Sequence, residues 1–192
     1  EFADKNGFFM ATFEEHHGAD NAWSPTPLIN AATVLARTTN LSASISALLL
    51  PLHDPIRVAE DIAVIDLMSG GRLNVIFGLG YRPSEYQLMG KSWEKRGQLM
   101  DESLQTLLNA WTGEPFEYKG ATHCINPTPL TKPHPFIMIG GTSKVAARRA
   151  ARPPRNSTGA RVSTARRVSG SERSWRGRGA ATDGGTARAG TG

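Results

Sequence analysis

The stretch ASISALLLPLHDPIRVAEDIAVIDLMSGGRLNVIFGLG, residues 43–80, contains a strand, a helix and a second strand. Its first ten residues form an almost continuous apolar run, the texture of a strand buried on both faces of a parallel sheet. Asp54 follows as a helix N-cap and Pro55 as a first-turn residue, where a missing N–H costs nothing. Ile56, Ala59, Ile62, Ala63 and Leu67 share one helical face, and Gly70-Gly71 ends the helix. RLNVIFGLG then reads as the next strand. Two apolar strands joined by a helix are expected to run parallel through a right-handed crossover.

The same alternation extends in both directions. Upstream, GFFMATF (7–13) reads as a strand, and Thr26-Pro27 opens a helix carrying Leu28, Ala31, Ala32 and Leu35. Downstream, Leu99, Ser103, Leu107 and Trp111 recur every four residues in a helix stopped by Gly113. GEPFEYKGATHCINPTPLT has the turn-rich texture of a hairpin, PFIMIGG is a short buried strand, and KVAARRAAR begins another helix. Four strand–helix units in series predict an α/β fold with a parallel sheet. The polar and glycine-rich residues gather at the strand-to-helix junctions: EEHHG, PLHDP, GLGYRPSE and GGTSK. In a β/α barrel these loops meet at one mouth, whereas a doubly wound fold would carry a glycine fingerprint in its first turn, which is absent from the first unit here. The expectation is therefore part of a (β/α)8 TIM barrel.

Composition divides the 192 residues into two regions. Residues 152–192 carry nine Arg against Glu172 and Asp183, and no Lys, so the net +5 of the chain conceals a mildly acidic body. That Arg/Gly-rich tail has too few large apolar residues to offset its ordering entropy and is expected to be disordered. The predicted organisation is one domain over 1–151 and a low-complexity basic tail over 152–192. Nine arginines would bind nucleic acid in a salt-dependent way, but no recognised module or aromatic platform accompanies them, so nucleic acid is not the expected partner. A single cysteine, Cys124, excludes an internal disulfide. No apolar run approaches bilayer length and the first residues carry no signal-peptide pattern, so no membrane partner is expected and the expected location is cytoplasmic.

The run LPLHDPIRVAEDIAVIDLMSGGRLNVIFGLGYRPSEYQLMG, with FEEHH upstream and PFIMIGGTSKVAARRAAR downstream, resembles the flavin-dependent luciferase-like monooxygenase family across most of residues 7–151. The resemblance implies a β/α barrel holding reduced flavin at its mouth, either FMN or a deazaflavin coenzyme. It implies an oxidoreductase that uses reduced FMN and O2 to oxygenate a small organic substrate, or one that transfers hydride with a deazaflavin. Glu15-His16-His17 falls on the family's Glu-His-His, with His16 at the histidine that works near the flavin. An imidazole there can move a proton near neutral pH. Adjacent extended residues point to opposite sides, so only one of the two histidines is expected to face the pocket.

Further roles follow from the same resemblance. Ser46-Ala47 falls where relatives often have a non-proline cis peptide behind the flavin ring. Gly78, Gly80 and Tyr81 form the GLGY that would let a planar ring approach the backbone. Leu79 stands where luciferase itself has an arginine on the flavin phosphate, a departure from that branch. Gly140, Gly141, Thr142 and Ser143, between a strand and a helix N-terminus, would receive the flavin phosphate. Glu85 falls at the position of an acidic residue near the luciferase site but reads more simply as a solvated loop carboxylate, and no metal is expected because no third spaced ligand accompanies the histidine pair. The family barrel has eight strands, and this sequence supplies candidates for the second to the fifth. The chain is thus expected to be a truncated member, its tail read out of frame or disordered, and its unpaired sheet edges expected to favour a homodimer. An inactive fragment is the alternative.

Overall fold

The computed structural model describes residues 1–151 and the backbone of residues 163–165. A short helix α1 (Phe2–Lys5) leads into β1 (Met10–Phe13), α2 (Pro27–Ala36), β2 (Ser42–Leu48) and a 3-10 turn at Leu50–Leu52. There follow α3 (Pro55–Ser69), β3 (Leu73–Phe77), α4 (Pro83–Leu88), α5 (Arg96–Ala110), β4 (Phe116–Tyr118), β5 (Ala121–His123), β6 (Phe136–Gly140), α6 (Lys144–Ala151) and β7 (Ser163–Ala165). β1, β2, β3, β6 and β7 form one sheet in that order, every neighbouring pair parallel. β4 and β5 make the separate antiparallel hairpin expected from the turn-rich excursion. The strand order never reverses, so the switch point of a doubly wound sheet is absent among the described residues.

Register sorts the side chains onto two unlike faces. Ala43 stands beside Leu73, Ile45 beside Val75, Val75 beside Ile137 and Phe77 beside Ile139, and all of these lie in the apolar core under the helices. On the opposite face Thr12 stands beside Ser44, Ser46 beside Ile76, and Asn74 beside Phe136. Thr12 and Ser46 are exposed there, and Phe136 is 51% exposed. The expectation that residues 43–52 form a strand buried on both faces is corrected on two counts. The strand ends at Leu48, the apolar run continuing as a 3-10 turn, and among the described residues helices cover only one side.

α3 begins and ends as its sequence predicts. The Asp54 carboxylate accepts from the N–H groups of Ile56 (2.9 Å) and Arg57 (3.3 Å), and Gly70 takes the left-handed C-cap at φ 66°. Its buried face is rotated from the expected one: Val58, Ile65 and Asp66 are inside, while Leu67 is 43% exposed. Asp66 can be buried because Thr131 satisfies it, donating from its backbone N–H (2.8 Å) and its hydroxyl (3.0 Å). In α5, Ser103, Leu107 and Trp111 face the core as predicted, and the Trp111 indole N–H donates to the Ala59 carbonyl (3.0 Å), pinning the end of α5 to α3.

The cap makes a testable contribution. Asp54→Ala is expected to cost about 1 kcal/mol in urea unfolding at pH 7. Burial works against ionisation of this carboxyl, but the N–H groups of Arg57 and Ile56 and the Lys119 ammonium outweigh it and hold its pKa below the ordinary carboxylate value. A folded-state pKa below the unfolded one adds stability above the unfolded pKa and loses it as pH falls through the folded one. The gap between wild type and variant should therefore narrow as pH falls below about 4.

The basic tail, residues 152–192, lies outside the described residues except for 163–165. Within it, Ser163–Ala165 pairs parallel with Met138–Gly140. Among the described residues, no helix is long and apolar enough to cross a membrane.

Candidate functional site

In this parallel sheet the C-terminal ends of β1, β2, β3 and β6 lie at one edge, and the four polar junctions follow them directly. Residues 14–17 lie beyond the end of β1, yet their side chains still alternate. Glu15 and His17 turn to one side and touch each other, while His16 turns to the other.

His16 is held by three neighbours. Its Nδ1 lies 2.8 Å from Glu85 Oε1, its Nε2 lies 3.3 Å from the Tyr81 hydroxyl, and its ring stacks on Trp23 at 4.3 Å between centroids. With Glu85 ionised, its carboxylate only accepts, which would place the His16 proton on Nδ1 and leave Nε2 facing the Tyr81 hydroxyl. The same Glu85 oxygen accepts from the His17 backbone N–H at 3.1 Å. This corrects the reading of Glu85 as a solvated loop carboxylate: it is 1% exposed, carried on α4, and its Oε2 has no partner among the described residues. Helix α4 was not legible in GLGYRPSE. Below it, Tyr86 is fully buried, donates to the Leu79 carbonyl (2.5 Å), and its phenol is pushed up to about 12 chiefly by burial.

Glu15 is the second hub. Its Oε1 lies 2.8 Å from His17 Nε2 and 2.5 Å from His53 Nε2, and its Oε2 accepts from the Leu49 N–H at 2.5 Å. Burial opposes its charge, but the His53, Leu49 and His17 hydrogen bonds prevail and hold its carboxyl below the ordinary range. Sequence reasoning assigned no role to His53 or Trp23. PLHDP was visible as a polar junction, but nothing in its spacing reveals a contact with Glu15, 38 residues away.

The other predicted positions assemble unevenly. The Ser46–Ala47 peptide is cis, as the resemblance implied. Gly78 lies against it: its N–H donates to the Leu48 carbonyl (2.8 Å), and a Cβ there would sit 2.9 Å from the Ala47 Cβ. Gly80 has φ 72°, and Tyr81 is 67% exposed beside His16. Gly140 packs on the end of β3, where a Cβ would meet the Phe77 carbonyl at 3.3 Å. Gly141, Thr142 and Ser143 are exposed ahead of α6, with the Ser143 hydroxyl accepting from the Ala146 N–H (3.1 Å). His16 and Tyr81 are thus in contact, Ala47, Gly78 and Gly140 line one continuous ledge, and Gly141–Ser143 follow it between β6 and α6. Gly78→Ala is expected to cost about 1 to 3 kcal/mol in urea unfolding, since neither a methyl group nor a backbone can swing aside.

A family model described as luciferase-like monooxygenase matches residues 1–153. The chain is 31% identical over 164 residues to an FMNH(2)-dependent dimethylsulfone monooxygenase of Pseudomonas putida, covering 79% of this chain and 44% of that protein. It is 27% identical to the oxygenase component of a flavin-dependent trigonelline monooxygenase of Acinetobacter baylyi, covering 72% and 40%. The crystal structure of the monooxygenase RslO1 from Streptomyces bottropensis superposes with a TM-score of 0.68 at 29% identity, covering 75% of this chain and 45% of that one. The chain spans less than half the length of these relatives.

Proposed function

The chain belongs to the luciferase-like monooxygenase family, and from that premise we propose that it is the flavin-binding part of a β/α barrel that uses reduced FMN and O2 to oxygenate a small organic substrate. The observation that carries this reading is the His16–Glu85 pair standing at the same sheet edge as the glycine ledge. One element can move a proton and the other can seat a planar ring.

The residues present fit a flavin. A Cβ at Gly78 would clash with the Ala47 Cβ and one at Gly140 would press on the Phe77 carbonyl, so packing keeps both positions glycine and leaves backbone, with no side chain, for a planar ring to approach. The Ser143 hydroxyl caps the Ala146 N–H (3.1 Å), but the N–H groups of Lys144 and Val145 open the helix with no acceptor inside it and suit a phosphate, and Thr142 adds a hydroxyl donor. When bound, reduced flavin supplies the two electrons that let one atom of O2 enter the substrate while the other leaves as water. The protein's own contribution is positional. Trp23 and Glu85 clamp the His16 ring so that Nε2, beside the Tyr81 hydroxyl, can take or give a proton at a fixed point. Association into a homodimer belongs to the same reading, supported by the outer edge of β1, which has no strand beside it among the described residues.

The test is a titration of monodisperse protein with FMN, followed by flavin fluorescence, and then O2 uptake with photoreduced FMN. One flavin per chain and turnover that depends on O2 are expected. Absence of saturable binding by soluble, folded protein would overturn the proposal, and substrate turnover without O2 would favour the deazaflavin hydride-transfer chemistry instead.

A further inference from the structure

The sequence gives no metal motif, because the His16-His17 pair has no third ligand at a recognisable spacing. The fold provides one. His53 arrives from the turn after β2 and meets His17 on the same oxygen of Glu15. One ligand atom from each residue, Glu15 Oε1, His17 Nε2 and His53 Nε2, lies within 4.8 Å of the other two. We propose that Glu15, His17 and His53 form a binding site for one divalent transition-metal ion of the zinc class.

The donor set is the first argument. Two imidazole nitrogens and one carboxylate oxygen are the three protein ligands of open zinc sites, in which a water takes the fourth position. The atoms are already close to coordination geometry. Ligands about 2.0 to 2.1 Å from a tetrahedral zinc ion stand roughly 3.4 Å apart, so the present 2.5 and 2.8 Å contacts need to open by less than about 1 Å and the two imidazole nitrogens, within 4.8 Å of each other, to close by no more than about 1.4 Å. The change in bonding is small: each neutral imidazole would carry its one proton on Nδ1 and give the Nε2 lone pair to the ion in place of its present contact with Glu15 Oε1.

The surroundings meet the remaining requirements. A ligating carboxylate needs its second oxygen held, and Glu15 Oε2 accepts from the Leu49 N–H. The His17 backbone is fixed by its N–H to Glu85. The side chain of Glu15 is fully buried and that of His17 is 8% exposed, whereas His53 retains 27%, so the ion has an entry path through the His53 side. A bound ion would tie the loop after β1 to the loop after β2 and would leave His16, on the other side of the backbone, outside its coordination sphere.

The experiment is titration of the full chain, freed of metal by chelation, with Co2+ under visible absorption, followed by Zn2+ competition. The expected result is one Co2+ per chain with the intense visible bands of a four-coordinate N/O site, displaced by Zn2+. Affinity should fall at least about 100-fold in His53→Ala and in His17→Ala, going by the loss seen when even a supporting partner of a ligand is removed. It should be unchanged in His123→Ala, a remote exposed histidine. Circular dichroism of each variant identifies any that fails to fold, and for such a position the Gln variant takes its place. Weak multi-site binding without those bands, or binding indifferent to His53→Ala, would overturn the proposal and leave the cluster as a hydrogen-bonded lock between two loops.

Discussion

Phe77→Ala is expected to lower the unfolding free energy by about 3 to 5 kcal/mol, measured by urea or thermal unfolding. Phe77 has no exposed surface and lies on the helix-covered face of the sheet, its register neighbours Leu48 and Ile139 likewise buried. Removing the ring leaves a cavity at the centre of a core that surrounding side chains fill only in part. Because domains of this size are stable by only about 5 to 15 kcal/mol, the variant should sit near the edge of folding. Phe136→Ala is the matching control. Phe136 belongs to the same sheet but projects from the opposite face, half exposed, and its loss should change stability by no more than about 0.5 kcal/mol. Equal losses from the two substitutions would mean that both faces are covered, contrary to the one-sided layering described above.

The second large effect concerns His16. Under the proposed function, His16→Ala should reduce oxygenation turnover by about 100- to 10,000-fold, the range for removing a positioned acid–base group. FMN binding should change little, since the imidazole contacts Glu85, Tyr81 and Trp23 and not the glycine ledge. Glu85→Gln should give a smaller loss of turnover: a side-chain amide can still occupy the position but no longer dictates which ring nitrogen carries the proton. Loss of FMN binding in His16→Ala, with turnover per bound flavin intact, would assign His16 to cofactor binding and remove it from proton transfer.

Much of this protein is decided by local patterns. The strand–helix–strand order over 43–80, the Asp54 cap, the Gly70 stop and the hairpin near 116–123 all follow from hydrophobic periodicity and turn chemistry, which act over a few residues. The polar junctions could be located from sequence because a parallel sheet places every strand-to-helix loop at one edge. His16, Tyr81 and the glycines could be named as candidates, but their roles rested on a family pattern. The choice of buried face on α3 was misjudged at Leu67 and Asp66, because a carboxylate reads as outward until its partner, Thr131, is brought to it from 65 residues away.

Tertiary structure alone decided which polar groups meet. Glu85 became the partner of His16 because α4 returns over the loop after β1, and His53 joined Glu15 and His17 because the turn after β2 stands beside that same loop. Neither encounter leaves a periodic signal. The physical reason is that burial of apolar area is non-directional and can be read from composition and spacing. Hydrogen bonding and coordination need particular atoms at particular distances, and across a chain separation of 38 or 69 residues only the folded backbone sets those. The sequence therefore determined the layers and the edge on which a site would stand, and the fold determined that the edge holds two carboxylate–histidine clusters, joined through the His17 N–H to Glu85.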